Sequence, residues 1–554
     1  MKALREWAVS RVWPLRTLVH FEAFLKSPVL YLQGVVWRLR RLKLRARHRF
    51  SALMGHASHA YELWMASREP EVNRPINLKD KGVNSFIVLV DCRNAEQSSI
   101  YSTLDSIANA GSRSIETALL DCSVQVPQGC HYVTSRDEFA QLLEAKASMV
   151  RPRWWIIALK AGDRLAPAAF DAYLAAINAS PESVLFYSDD DLTGDNGRRQ
   201  SPHFKPRWNA ELFDFHDFVT GSCAFAADSV KLSEICEEGP LMAASLRVAE
   251  PVHIPRVLHH RISRPEPKVG YVLNKTTAPD ELPNVSVVIP TRDHAKLLRM
   301  CLDGLASTKY QSMDITVIDN GSTDSETLAY LSKIQAEGIR VWREPGPFNY
   351  AGMHNAVVPH LNGPLICFLN NDIEVIDPDW LAQMVPNALR DDIGAVGARL
   401  LYPDRTIQHA GIVLGMGGGA GHAHRLQPDN AIGYFGRAHL PQRVSAVTAA
   451  CLVVRKDRFE SVGGFDAENF AVAFNDVDLC LKLNAAGWQS FYEPRACLVH
   501  HESKSRGRDR RGHGRRRLAG ELAALKRRWL TDQIQDPYHH PELSKFTEQF
   551  VVRL

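Results

Sequence analysis

The chain has no CxxC pair among its ten cysteines and no apolar run near the ~20 residues that a membrane-spanning helix needs. Its start lacks a compact apolar core followed by a small-residue cleavage site. Scattered cysteines argue against a disulfide framework and read as buried or free thiols in a reducing compartment. The missing span and signal predict a cytoplasmic protein. No recognised nucleic-acid-binding motif accompanies its basic residues, so nucleic acid is not an expected partner.

The 554 residues, 45% hydrophobic and 23% charged, suit a soluble globular protein of about three or four domains. Charge is unevenly placed. Residues 1–50 hold twelve Lys/Arg and two Asp/Glu, a net of +10 against +4 for the whole chain, so the remainder is acidic. Trp7, Trp13, Phe21, Phe24, Tyr31 and Trp37 interleave with arginines there. Aromatics among cations suit peripheral contact with an anionic membrane, at its inner face in this reading. A basic helical arm docked on protein is the alternative.

After residues 1–75, read as that helical arm, the texture changes. Phe86–Val90 and Trp154–Leu159 are short apolar runs fit for buried strands, with a helical stretch through Leu104 and Ile107 between them. The grammar restarts near residue 284 with Val285–Pro290, a helix carrying Leu298, Cys301, Leu302 and Leu305, then Ile315–Asp319. A shift of 198 residues superposes Phe86–Val90 on Asn284–Val288 and Asp121 on Asp319 without a gap. This predicts an internally duplicated α/β unit with a mainly parallel sheet and helices on both faces. The expected domains are 76–275, 280–505 and a basic loop with a C-terminal helix over 506–554. The Pro-rich stretch from Arg264 to Pro283 is the connector.

Ligands of open α/β sheets sit beyond the carboxyl ends of strands, and acidic groups lie at such ends here. Asp319 closes a strand and enters Asn320-Gly321-Ser322-Thr323-Asp324, either to bind a nucleotide or to shape an Asx-turn. Leu365–Leu369 runs into Asn370-Asn371-Asp372, hard oxygen donors placed for a Mg²⁺ or Mn²⁺ ion or a polar turn. Asp476 opens a helix as an N-cap or as a base ionised near its ordinary pKa. His500 and His501 follow, and a neutral imidazole can complete a cation's shell.

As an ordered set these residues resemble the family 2 inverting glycosyltransferases of the GT-A fold, in a tandem-module subgroup similar to bacterial O-antigen and rhamnosyl transferases. The matching text is Val287–Asp293, Val317–Asp324, Pro347–Tyr350, Asn355-Ala356, Phe368–Asp372, Ala446–Cys451, Val462–Asp466, Asn475–Leu481 and His500–Gly507. The resemblance implies that Thr291, Asp319, Asn371 and Asp372 bind the donor. It makes Asp372 and His500 ligands of a divalent cation, Mn²⁺ or Mg²⁺, and Asp476 the general base. Two departures stand out: the metal motif reads Asn-Asn-Asp, and Asn475 replaces a usual Glu. Gly415–His424 is typical of the subgroup, with His422 and His424 candidates to touch phosphate or ride on a lid. The run Arg506–Arg517 is a candidate closing loop or a solvated surface.

The first half carries Ser188-Asp189-Asp190-Asp191 and Pro202–Trp208, which look like the leading module of tandem family members. Its metal position reads Lys160-Ala161-Gly162-Asp163, and like charges repel strongly in a partly desolvated site. No counterpart of Asp476 or His500 is evident. A degenerate module is expected, with a second active transferase as the alternative. The whole reads as transfer of a sugar from a nucleotide-diphosphate sugar to a glycan or lipid-linked glycan in bacterial surface polysaccharide (lipopolysaccharide O-antigen) synthesis. Rhamnose is one candidate sugar. A non-catalytic glycan-binding scaffold is the rival.

Overall fold

The computed structural model describes residues 2–73, 84–111, 115–125, 127–147, 153–229, 250–269, 282–501 and 512–554. The first sheet is built from β1 (Asn84–Asp91), β2 (Ile115–Leu120), β3 (Cys130–Val133), β4 (Arg153–Lys160), β5 (Arg164–Leu165), β6 (Leu185–Thr193), β7 (Arg199–His203), β8 (Cys223–Ala226) and β9 (Val252–Arg261). The second contains β10 (Val285–Thr291), β11 (Met313–Asp319), β12 (Arg340–Arg343), β13 (Leu365–Leu369), β14 (Ile373–Val375), β15 (Ile393–Leu401) and β16 (Ile407–His409). After a two-stranded ribbon, β17 (Ile412–Leu414) with β18 (Ala420–His422), it adds β19 (Gln442–Val444), β20 (Cys451–Arg455) and β21 (Gln489–His500).

The strand orders are β3-β2-β1-β4-β8-β6-β9-β5 and β12-β11-β10-β13-β20-β15-β21-β14. Taken strand for strand they are the same path, so the α/β unit is present twice, with the mixed, partly parallel sheet of the GT-A fold. The apolar runs follow from this. Every residue of β10 and β13 is buried because helices cover both faces, which leaves no solvent side to mark with polar residues.

The ungapped 198-residue superposition needs a correction. Phe86 pairs with Ile115, whereas Val285 pairs with Met313. Paired residues of the first two strands thus lie one residue further apart along the chain in the first copy. A one-residue slip exchanges the faces of a strand. It went unseen because both faces of these strands are apolar.

The basic arm is helical, as its composition predicts: Lys2–Lys26, Pro28–Leu39, Lys43–Gly55, Ala60–Ser67 and Glu69–Val72. It is moored to the C-terminal segment, where Glu542 accepts from Trp64 Nε1 at 2.8 Å and from Arg68 Nε at 2.6 Å. The C-terminal helix runs Gly512–Trp529, so residues 512–517 are helical and not loop. The stretch Arg506–Arg511 lies outside the described residues, as does most of the connector (270–281). Among the described residues no helix is long and apolar enough to cross a membrane, and the described cysteines form no disulfide.

Candidate active site

Three strand ends meet where β10, β11 and β13 stop. The parallel register sets Thr291 beside Asp319. Thr291 Oγ1 accepts from Asn371 Nδ2 at 3.0 Å, which ties the third strand end to the first. Asp319 is fully buried. One oxygen accepts from Ser322 N at 2.9 Å, an Asx-turn, and the other from Arg343 Nη1 at 2.8 Å. The Asx-turn reading of Asp319 is thus met, and its second oxygen is paired with a guanidinium.

Asp372 and His500 lie far apart in the chain and touch in the fold. β14 pairs antiparallel with β21, with Ile373 opposite His500. This register puts Asp372 Oδ1 3.0 Å from His500 Nε2. The other ring nitrogen, Nδ1, lies 2.8 Å from Gln408 Oε1, which fixes the ring's orientation. Gln408 carried no signal in the sequence, because its position depends on how β16 folds back on β15.

Asp476 stands in the first turn of the helix Asn475–Ala485. Phe474 just before it has φ +61°, a left-handed conformation that a bulky side chain adopts only under constraint. Asn475, the departure from the family pattern, braces the turn: its Oδ1 accepts from Asp476 N and its Nδ2 donates to Val472 O. Asp476 itself accepts from Val477 N at 2.8 Å and from Ala449 N at 3.2 Å. Burial raises its pKa, opposed by the Thr448 hydroxyl and these N–H groups. The expectation of an unperturbed carboxylate is thereby corrected: the apolar surroundings disfavour its charged form.

Asp476 and His500 line one cavity of about 290 Å³, together with Tyr350, Asn370, His422 and Thr448. Asp372 contacts His500 but does not itself line the cavity, and neither do Thr291, Asp319 or Asn371. His422 borders the cavity, its Nδ1 2.8 Å from His409 Nδ1. His424 does not: it is buried, stacked on Phe550 at 4.5 Å, with burial holding its pKa at about 3. Glu521, on the C-terminal helix, had no marker in the sequence. Its carboxylate accepts from Val472 N and Ala473 N, at the loop leading to Asp476.

The first sheet offers a different picture. Lys160–Asp163 folds on itself, with Asp163 accepting from Lys160 N and Ile262 N. Asp190 faces Lys205 Nζ at 2.7 Å and Arg264 at 2.8 Å. Asp191 accepts from Tyr61 at 2.6 Å and Arg199 at 2.6 Å and contacts His260. A counterpart of His500 exists by position, contrary to expectation. β9 occupies the place of β21 and ends in His259, His260 and Arg261, but these rings engage Tyr173 and Asp191. The stretch between β8 and β9, where a counterpart of Asp476 would fall, includes 230–249, outside the described residues.

The sequence model of glycosyl transferase family 2 matches residues 286–430. The second module thus carries a glycosyl transferase family 2 domain. The chain is 37% identical over 447 residues to the uncharacterized protein y4gI of Sinorhizobium fredii, covering 72% of this chain and 49% of that one. It is 33% identical over 436 residues to the O-antigen biosynthesis protein RfbC of Myxococcus xanthus, covering 70% and 33%. The N-acetylglucosaminyl-diphospho-decaprenol L-rhamnosyltransferase of Mycobacterium tuberculosis is 28% identical over 254 residues, 42% of this chain and 80% of that one. The chain thus spans about half of y4gI and a third of RfbC.

Proposed function

We propose that the second module transfers a sugar with inversion, from a nucleotide-diphosphate sugar to a glycan or lipid-linked glycan acceptor in surface polysaccharide assembly. The observation that carries this reading is that Asp476 and His500 line one cavity, with Asp372 in contact with His500. In this reading Thr291, Asp319 and Asn371 hold the nucleotide at the strand ends. The acceptor hydroxyl lies against Asp476. Its oxygen attacks the anomeric carbon as the bond to the diphosphate breaks, and its proton passes to the Asp476 carboxylate. A carboxylate of raised pKa is the stronger base for that transfer.

The residues fit a divalent cation. A carboxylate oxygen and an imidazole nitrogen 3.0 Å apart, the ring held by Gln408, are donors that suit Mn²⁺ better than the oxygen-preferring Mg²⁺. Asp372 and His500 would hold it, with phosphate oxygens and water in the other positions. When bound, the ion neutralises charge on the departing diphosphate.

Donor hydrolysis with Mn²⁺, compared between wild type, Asp372→Ala and Asp476→Asn, tests the proposal. Equal and metal-independent behaviour in all three would favour a scaffold, and the anomeric configuration of the product decides inversion. The relatives' names make an L-rhamnose donor the first to try. The first module is inferred to be structural, because its acidic triplet is neutralised by buried partners. The arm is inferred to rest on an anionic membrane surface. Trp13 (74% exposed), Phe21, Leu25, Val29 (77%) and Leu39 (77%) present apolar surface to solvent among the arginines.

A further inference from the structure

Resting on the reading of the cavity as a transferase site, we infer that His422 holds the diphosphate of the sugar donor as a neutral N–H donor and steadies it as it leaves.

His409, His422 and His500 lie together at one end of the second module. His500 lines the cavity and is held through Nδ1 by Gln408. His422, the last residue of β18, lines the same cavity, and its Nδ1 lies 2.8 Å from Nδ1 of His409. Gln408 and His409 are neighbours on β16, so one short strand anchors both cavity-lining rings. His409 itself is fully buried. Burial, then the nearness of His422 and His500, hold its pKa well below the ordinary histidine value, and its ring is neutral.

The position of the proton follows. The second nitrogen of His409, Nε2, is buried and finds no hydrogen-bond partner among the described residues. A buried N–H left without an acceptor is rarer than a buried acceptor left without a donor. Nε2 is therefore the bare nitrogen, and the proton of His409 sits on Nδ1, where it is donated to His422. Nδ1 of His422 accepts it, so the proton of His422 itself is on Nε2. The buried ring thus sets the state of the one at the cavity: Nε2 of His422 offers an N–H and not a lone pair. A cation needs a lone pair, so this edge is no metal ligand. It suits an anion.

The anion in this cavity is the diphosphate. As the bond to the anomeric carbon breaks, negative charge grows on the departing phosphate oxygen. A hydrogen bond to that oxygen strengthens in the transition state, and a donor already fixed by His409 needs no reorientation. The proton stays on His422 throughout, while that of the acceptor hydroxyl goes to Asp476. Ala420 and Gly421, just before His422 on β18, line the same wall and add little bulk there.

The test uses the full chain as wild type, His422→Asn, His422→Gln and His422→Phe, each checked for fold by circular dichroism. An Asn amide stands near Nδ1 of the ring it replaces, and a Gln amide near Nε2. With Mn²⁺, kcat for sugar transfer or donor hydrolysis should fall about 10- to 100-fold in His422→Asn and His422→Phe, with a smaller change in donor KM, and His422→Gln should recover most of it. By calorimetry, dTDP and UDP with Mn²⁺ should bind more weakly to His422→Asn, while affinity for Mn²⁺ alone is unchanged. A folded His422→Asn with kcat within about twofold of wild type overturns the inference. So does a loss of affinity for Mn²⁺ alone, which would make His422 a metal ligand. Should His422→Asn not fold, the other two variants decide, since both lose the contact with His409 and only Gln keeps a donor; equal rates in the two overturn the inference. A wild type that turns over no nucleotide sugar and binds neither diphosphate overturns the transferase reading itself, an outcome distinct from an active enzyme indifferent to His422.

Discussion

Removing the Glu521 carboxylate should slow the proposed sugar transfer although its own side chain does not line the cavity. Glu521 is buried and accepts from Val472 N at 2.9 Å and Ala473 N at 3.3 Å. Both residues line the cavity, and Phe474 and Asn475 follow directly before Asp476. Hydrogen bonds to a charged acceptor contribute about 1.5–3 kcal/mol each, and Glu521→Ala leaves two N–H groups without one. The strained Phe474 then has less to hold it. If only about 1.4–2.8 kcal/mol of this reaches the transition state, kcat falls about 10- to 100-fold. Donor KM should change little, since Thr291 and Asp319 lie on other strand ends. Glu521→Gln keeps one oxygen acceptor and should fall between. Steady-state transfer kinetics on protein of confirmed fold would read this. A folded Glu521→Ala with kcat within about twofold of wild type would refute the positioning argument.

Further outcomes are expected. Activity should decline on the acid side as Asp476 takes up a proton, with the midpoint above the ordinary aspartate value because burial raises its pKa. Thr448→Val removes a hydroxyl that favours the charged form and should move that limb to higher pH; a limb that stays put would count against Asp476 as the base. Gln408→Leu should weaken Mn²⁺ binding about 10- to 100-fold by freeing the His500 ring, measured by calorimetry. Asp190→Asn should cost about 3–5 kcal/mol of stability in denaturant unfolding, because Lys205 and Arg264 lose a buried counter-charge, while donor binding persists. Trp13→Ser with Phe21→Ser should reduce sedimentation with anionic vesicles and leave turnover on soluble substrates unchanged; equal binding to neutral vesicles would contradict the charge argument.

The duplicated α/β architecture and the helical arm were legible in the sequence, since strands covered on both faces demand apolar runs and the motifs recur in order. The candidate residues were legible as types at strand ends and at a helix start. Their relations were not. Asp372 meets His500 only because β14 and β21 pair in one register across the sheet. Asp476 acquires its raised pKa from a cavity wall assembled from remote loops. The triplet Asp189–Asp191, which reads alone like an active site, is turned inward against Lys205, Arg199, Arg264 and three histidines. Local patterning determines which elements form, because periodicity and backbone propensity act over a few residues. Which charges are compensated, and by which partners, depends on contacts between residues remote in the chain, and those are set only when the sheets close.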